Sequence, residues 1–297
     1  MDILIVTGGN SSERKISLIS AGMVTKALRK NGHTVTVFDF RKGYPELKKI
    51  LGNFDIVFPV MHGKEGEDGM LYHFLRSAGK MFVGSNPRGA RIASNKILFK
   101  RYCDRKNILT AEWRLVKSRK DIIKFGFPCV LKAASGGSSH EVALLYSIKD
   151  LANPKVKKIL KLLNSFFAER LIDGVEITMG VVLGRMYPVV EIIPPGGSWF
   201  NYRNKYSGKS KEIPFAPSVS KNIQKKAQKI ALRIHQELDL GSYSRTDAII
   251  KEGKIYILET NTPGGVGLTP HSLLPKAAKA AGISFEQLVE KMLKGSI

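Results

Sequence analysis

The sequence predicts an α/β fold that opens on a parallel sheet and continues into α+β units, and three observations predict it. Short aliphatic runs fall at residues 3–6, 34–38 and 54–60, the first two separated by a stretch with helical spacing, the βα order of an open parallel sheet. Farther along, strand-like runs at 129–132 and 142–146 follow one another with only a Gly/Ser loop between, and residues 244–261 read as a hairpin. A chain of 297 residues with 43% hydrophobic content also has enough apolar material for two or three domains.

The elements follow in order. The run beginning at Ile3 ends at Gly8-Gly9-Asn10-Ser11-Ser12. Ile16, Ile19, Val24 and Leu28 then recur at helical spacing, and Asn31-Gly32 stops that helix before the next strand. The third strand, 54–60, leads into a Gly-rich loop and a helix over about 70–78. In open parallel sheets ligands gather beyond the carboxyl ends of the strands, where residues 8–13 and 62–68 fall. A helix-rich segment from residue 86 leads to the 129–132 strand and its partner at 142–146. Apolar runs at 166–171, 177–182 and 187–193 come next, then a polar loop at 194–217 that is long, aromatic and basic. Ordered loops of that length tend to be lids or binding loops. A long helix over about 222–238 precedes the hairpin.

Composition narrows the classes. Cys103 and Cys129 are far apart and form no CxxC pair, which argues against a disulfide framework or a zinc site and fits a reducing cytosol. The N-terminus lacks a basic leader and a cleavage pattern, and no apolar run approaches the roughly 20 residues that cross a bilayer, so a cytoplasmic, non-membrane protein is expected. Lys and Arg number 48 against 25 Asp and Glu, a formal charge of +23. Such a charge attracts phosphates, nucleic acid or anionic membranes. Here the lysines are spread along the chain, with no basic tail and no aromatic-interleaved RNA motif, so nucleic acid is not the expected partner.

Chemistry concentrates in the hairpin. Asp247 lies in the first strand, Gly253 marks the turn, and the return strand carries Glu259 and Asn261 two residues apart, hence on one face. Two carboxylates facing each other repel unless a cation sits between them, and hard oxygen donors of this kind suit Mg²⁺ bound with nucleotide phosphates. A surface hairpin with acidic residues toward solvent would look similar in isolation. Lys132 ends a strand just before Gly136-Gly137-Ser138-Ser139, a loop whose backbone N–H groups could approach a phosphate. No Gly-Lys-Ser/Thr follows those glycines, and Gly8-Gly9 is not a GxGxxG fingerprint, so P-loop and dinucleotide-binding readings lose ground.

With those residues in place, the chain resembles the D-alanine:D-alanine ligases of the ATP-grasp superfamily across nearly its full length. The resemblance is carried, in the family's order, by residues 8–18, residues 62–69, Lys132 with residues 136–139, Asn204-Lys205-Tyr206, Ser244-Arg245-Thr246-Asp247, Glu259-Thr260-Asn261 and Ser272-Leu273-Leu274-Pro275. It implies a three-domain ATP-grasp architecture: an N-terminal Rossmann-like open parallel sheet domain over 1–87, a central subdomain over 88–173, and a C-terminal subdomain over 174–297 with the metal and second-substrate site. The implied reaction is ATP-dependent joining of two D-alanine molecules through an acyl phosphate, supplying D-alanyl-D-alanine for peptidoglycan, in the cytoplasm and by a homodimer. Two Mg²⁺ ions, replaceable by Mn²⁺, are implied at Asp247, Glu259 and Asn261.

The resemblance also implies roles for single residues. Lys96 and Lys132 would hold ATP phosphates beneath the Ser138-Ser139 loop, Glu169 and Ile172 would meet adenine, and Glu176 the ribose. Glu13, helped by His62, would face the ammonium of the first D-alanine. Arg245 would bind the second substrate's carboxylate and stabilise the tetrahedral transition state, with Ser272 and the Leu273 backbone completing that pocket. Lys205 would reach the γ-phosphate from a lid, and Tyr206 would close on substrate through Glu13 and Ser138, as in the dipeptide-forming type.

Four departures from the family pattern stand out. Tyr72-His73 replaces a common Gln-Gly pair, read as a packing change at a helix start. Residues 261–272 run two residues longer than usual, leaving the oxyanion-binding N–H open among Gly264, Gly265 and Gly267. Ala133-Ala134-Ser135 replaces a Pro-containing start of the phosphate loop, and His140 stands where Val is common. The alternatives are a related ATP-grasp ligase with another amino or hydroxy acid acceptor, and a catalytically inactive basic protein that binds nucleic acid.

Overall fold

The computed structural model describes residues 1–135, 142–162, 166–195 and 210–296. The chain begins with β1 (Asp2–Thr7), α1 (Arg14–Lys30), β2 (Thr34–Asp39), α2 (Gly43–Ile50), β3 (Ile56–Val60) and α3 (Met70–Ser77). β1 is central in a parallel sheet of order β2-β1-β3, as its near-continuous apolar sequence requires of a strand covered on both faces. Helix α1 packs a face of small residues, among them Ser17, Ser20, Ala21 and Ala27, close to this sheet, and its last turn carries Arg29 and Lys30, the sign that complements the helix dipole.

Next come α4 (Pro87–Ser94), α5 (Lys96–Arg105), β4 (Trp113–Val116), α6 (Arg119–Phe125), β5 (Cys129–Ala133), β6 (Val142–Leu145), α7 (Pro154–Leu162) and β7 (Phe166–Arg170). The four strands form an antiparallel sheet of order β4-β7-β5-β6. Asn95 separates α4 from α5 in an extended conformation, and its side chain accepts from Leu98 N, so a single residue ends one helix and caps the next. The start of α5 is docked on the end of β5 by Lys96 N, which donates to Ala134 O at 2.7 Å.

The remaining elements are β8 (Val175–Val182), β9 (Arg185–Met186), β10 (Val190–Ile193), β11 (Lys211–Pro214), α8 (Lys221–Glu237), β12 (Tyr243–Lys251), β13 (Lys254–Asn261), α9 (Leu273–Ala280) and α10 (Phe285–Lys294). Their strands form an antiparallel sheet of order β11-β10-β8-β12-β13, with β9 pairing β8. The hairpin turns at Glu252 and Gly253, both at positive φ, the two-residue turn whose twist matches its strands.

Packing does not follow chain order. Phe99, Tyr102 and Cys103 of α5 share a core with Ile177 and Met179 of β8 and Ile234 of α8, so α5 rests on the last sheet although it precedes the middle one. Leu274 of α9 and Leu288 and Met292 of α10 share a core with Ile3, Val24 and Leu28. The C-terminal helices therefore tie the first sheet to the last and bring the carboxyl ends of β1 and β3 near the hairpin.

Candidate active site

At the end of β1, Gly8 and Gly9 adopt positive φ, and a Cβ on Gly8 would lie 2.4 Å from Arg14 Nη1 and 2.5 Å from Asp39 Oδ1. Only glycine leaves room there for the Arg14–Asp39 fork, two contacts of 2.7 Å that pin the start of α1 to the end of β2 and hold the Asp39 carboxyl down to about 2. Glu13 sits at that helix start, 6% exposed, beside buried His62 from the end of β3. Two serines fix the pair: Ser11 Oγ donates to His62 O at 2.8 Å, and Ser17 Oγ accepts from His62 N at 2.9 Å. Burial pushes the His62 imidazole below its ordinary value; Glu13 pulls it up, and Arg245 pushes it further down. Glu13 and Arg245 each act on His62, and all three line one cleft.

The hairpin meets this group from the opposite side. Asp247 pairs with Glu259 in register, and Arg245 pairs with Asn261. A bulge at Leu258 interrupts the ladder between those pairs and Ala248–Ile257. Ile255 and Ile257 point into the core; in a regular strand Glu259 and Asn261, of the same parity, would follow them inward. The extra residue reverses the alternation, so Thr260 is buried while Glu259 and Asn261 line the cleft. Arg245 Nε and Nη2 lie 3.0 and 2.8 Å from the Asp247 carboxylate, Thr178 Oγ1 donates to Asp247 Oδ1 at 2.5 Å, and Lys96 Nζ lies 3.3 Å from Glu259 Oε2. Burial would lower Lys96, but Glu259, Glu67 and Glu169 together hold it above the ordinary lysine value.

Among the described residues no three His, Cys, Asp or Glu side chains gather as a metal site on their own. The donor set here is two opposed carboxylates and one amide oxygen on a cleft face. It suits a hard divalent cation that takes its other ligands from phosphates and water.

A buried charge cluster lies farther along the cleft. Glu169 of β7 is ion-paired with Lys132 of β5 on one oxygen and with Lys100 of α5, at 2.7 Å, on the other. Burial alone would raise this carboxyl, yet the two lysines hold it at about 2. Ile172 and Glu176 line the same wall.

At the other end, Ser272 stands at the N-cap position of α9 with its Oγ turned back to accept from Thr269 N at 3.2 Å; Leu273 begins the helix. Of the three glycines, Gly264 N donates to the Tyr72 hydroxyl at 3.0 Å and Gly265 N to Thr262 O at 2.8 Å; Gly265 and Gly267 both line the cleft, Gly267 beside Ser272. Tyr72 thus does more than pack a helix start, the role its sequence position implied: its phenol reaches across to the glycine segment.

One cleft of about 1240 Å³ is lined by Glu13, His62, Lys96, Lys132, Glu169, Ile172, Glu176, Arg245, Asp247, Glu259, Asn261, Ser272 and Leu273, drawn from all three sheets and the segments joined to them. Ser138, Ser139, His140, Lys205 and Tyr206 lie outside the described residues. Sequence reasoning missed Lys100, the serine clamp of Ser11 and Ser17, and Glu67, whose Oε1 accepts from Gly63 N at 2.7 Å and stands 3.9 Å from His62 Nδ1. Both serines and Glu67 sit inside the motifs already singled out, so their place was visible although their partners were not.

Comparison with known proteins agrees with this geometry. The family model described as D-ala D-ala ligase C-terminus matches residues 104–294. A D-alanine--D-alanine ligase of Nitratidesulfovibrio vulgaris (strain DP4) is 35% identical over 99% of this chain and 97% of its own. One from Pseudothermotoga lettingae is 35% identical, with 100% of both chains covered. Among solved structures, a D-alanine--D-alanine ligase from Bacillus anthracis complexed with ATP superposes with a TM-score of 0.85 at 26% identity, covering 99% of this chain and 97% of that one. The VanG D-Ala:D-Ser ligase from Enterococcus faecalis gives 0.81 at 25% identity, covering 99% and 98%.

Proposed function

Because this chain belongs to the D-alanine–D-alanine ligase family, with the ATP-grasp fold of its relatives, we propose that its cleft joins two D-alanine molecules at the expense of ATP. The observation that carries the reading is the position of Arg245, paired with Asp247 at the hairpin and acting electrostatically on His62 at the other wall. One guanidinium therefore links a phosphate-and-metal end to an amino-acid end.

In this reading Glu13 and His62 hold the ammonium of the first D-alanine, so that its carboxylate points toward the γ-phosphate. Lys96 and Lys132, with Lys205 from the 194–217 loop, hold the phosphates; Glu169 and Ile172 meet adenine, and Glu176 the ribose. Asp247, Glu259 and Asn261 would hold Mg²⁺, or Mn²⁺ in its place, which when bound neutralises phosphate charge that otherwise repels an incoming carboxylate. A carboxylate oxygen forms a bond to the γ-phosphorus, the bond from that phosphorus to the bridging oxygen breaks, and ADP leaves. The uncharged amine of the second D-alanine then attacks the acyl carbon. The bond from that carbon to the phosphate oxygen breaks, inorganic phosphate departs and the amine gives up a proton.

Arg245, Ser272 and the Leu273 backbone hold the second substrate's carboxylate at the start of α9, where a helix N-terminus favours an anion. Gly264 and Gly265 already direct their N–H groups within the fold, so the oxyanion contact falls to Gly267. Ser138 and Tyr206 close over the substrates and exclude water from the acyl phosphate. The product serves peptidoglycan synthesis in the cytoplasm, made by a homodimer. Among the described residues no helix is long and apolar enough to cross a membrane.

ADP release measured against a panel of D- and L-amino acids and hydroxy acids tests the proposal. Turnover is expected with D-alanine as both donor and acceptor; strong turnover with any acceptor except D-alanine would reject the assigned substrate. A second reading is a related ATP-grasp ligase with another amino or hydroxy acid as acceptor, which the same panel separates from the first.

A further inference from the structure

Lys100 is 1% exposed, an unusual position for a lysine, and it does not line the cleft. Its Nζ lies 2.7 Å from Glu169 Oε2 and also contacts Thr110 Oγ1, which donates to Ile257 O at 2.7 Å on the hairpin. Glu169 and Lys132 do line the cleft, and Lys132 is paired with the other oxygen of the same carboxylate. A Lys132–Glu169 pair alone would be neutral, and its attraction for a phosphate would be largely cancelled. With Lys100 behind the carboxylate, two ammonium groups oppose one negative charge and a full positive charge is left toward the cleft.

We propose that Lys100 is a positioning residue for nucleotide binding: by neutralising Glu169 from the buried side, it leaves Lys132 electrostatically available to an ATP phosphate. The inference rests on the ATP reading above and assigns the buried lysine a part in it. Burying three charges is costly unless geometry compensates, so a purely structural role would be served as well by apolar packing. Glu169 held at about 2 is ionised across the working range of pH, which keeps the charge balance constant.

The test compares affinity for ATP with affinity for adenosine, which shares the base and sugar but lacks phosphate. Both are measured by calorimetry in Mg²⁺ buffer on the full chain. Lys100→Met keeps an unbranched side chain one atom shorter and leaves a neutral Lys132–Glu169 pair; the preference for ATP over adenosine should fall by about tenfold or more. The double variant Lys100→Met with Glu169→Gln restores one positive charge; the adenine contact of Glu169 is altered for ATP and adenosine alike, so both affinities shift together and only the preference between them should return to within about threefold of wild type. Should Lys100→Met fail to fold, the double variant carries the test, and loss of ATP preference there overturns the inference. Equal loss of ATP and adenosine affinity in Lys100→Met also overturns it, since that is what damaged packing does. A wild-type protein that binds no ATP would overturn the ligase reading along with it, an outcome distinct from the others.

Discussion

Asp247 and Glu259 stand opposite each other across the β12–β13 hairpin, yet each carboxylate leans on a different cation. Asp247 is held by the fork of Arg245 on its own strand, and Glu259 by Lys96 from the first turn of α5. Like charges placed opposite on a sheet destabilise it by up to about 1 kcal/mol. The flanking cations offset that cost and keep two hard acceptors at cross-strand spacing. The same arrangement ties the helix start at Asn95 to the chemistry of the hairpin, because the cap that fixes α5 also fixes Lys96.

Glu259→Gln removes the acceptor that does most to keep Lys96 charged against its burial. Phosphoryl transfer should fall by on the order of 100-fold, the usual effect of losing one preorganised electrostatic contact. The side chain keeps its shape, so Tm should move by no more than about 4 °C. ADP release near the wild-type rate would reject the role given to Glu259.

Much of this site was legible in the sequence because its residues occur as short ordered motifs at strand ends. Glu259 and Asn261 were placed on one face by strand alternation alone, with Asp247 opposite them across the turn. That argument also put Ile255 and Ile257 on the same face, and the Leu258 bulge is what separates them; nothing in the composition of the strand marks it. The opening parallel sheet and the β12–β13 hairpin were readable from period and spacing, whereas β4 fell in a stretch read as helix-rich and β11 inside the 194–217 loop. The docking of α5 on the last sheet was not readable, because it depends on contacts between Phe99, Tyr102 and residues more than seventy positions away. Lys100 was invisible for a related reason: one turn after Lys96 it reads as an ordinary helix lysine until β7 brings Glu169 beneath it.

Arg245→Lys keeps the charge and loses the planar fork that now spans both oxygens of Asp247. An ammonium cannot serve Asp247 and a substrate carboxylate with the same geometry. We expect kcat/KM for the acceptor to fall at least about tenfold, with KM for ATP changed far less, since about 1.4 kcal/mol of transition-state binding accounts for each factor of ten. Equal losses for both substrates would show that the arginine does not discriminate between the two ends of the cleft.

His235 of α8 is buried behind β12, with Nδ1 2.9 Å from Ser244 Oγ, and burial lowers its imidazole to about 4 against the pull of Asp239 and the Gly241 backbone. The unfolded chain takes up a proton near 6.5, which the folded chain refuses until about 4. His235 therefore contributes fully above pH 6.5, and that contribution is lost as pH falls toward 4, up to roughly 3 kcal/mol. Urea unfolding of wild type and His235→Gln at pH 7 and pH 4.5 should show the gap between them narrowing at the lower pH. A gap of equal size at both would refute the assignment, and His62, present in both proteins, cancels from the comparison.

The peptide between Pro263 and Gly264 is gripped at both polar atoms by buried tyrosines: Tyr243 donates to Pro263 O at 3.1 Å, and Tyr72 accepts from Gly264 N at 3.0 Å. A Cβ on Gly264 would lie 2.1 Å from Gly66 O, so the segment crosses the 62–69 loop with no room to shift. Two of the departures from the family pattern, Tyr72 and the lengthened glycine segment, are thereby in contact. Tyr72→Phe preserves the ring stacked on Phe82 at 5.7 Å and removes only the acceptor. A buried N–H left without a partner costs about 1–3 kcal/mol, so unfolding by urea should show a loss of that size. Because the slack enters the segment that carries Gly267, KM for the acceptor should rise by roughly threefold or more while KM for ATP stays near wild type. Unchanged stability would mean that the tyrosine hydroxyl does not hold this peptide, and unchanged acceptor KM with reduced stability would separate the grip on the segment from substrate selection.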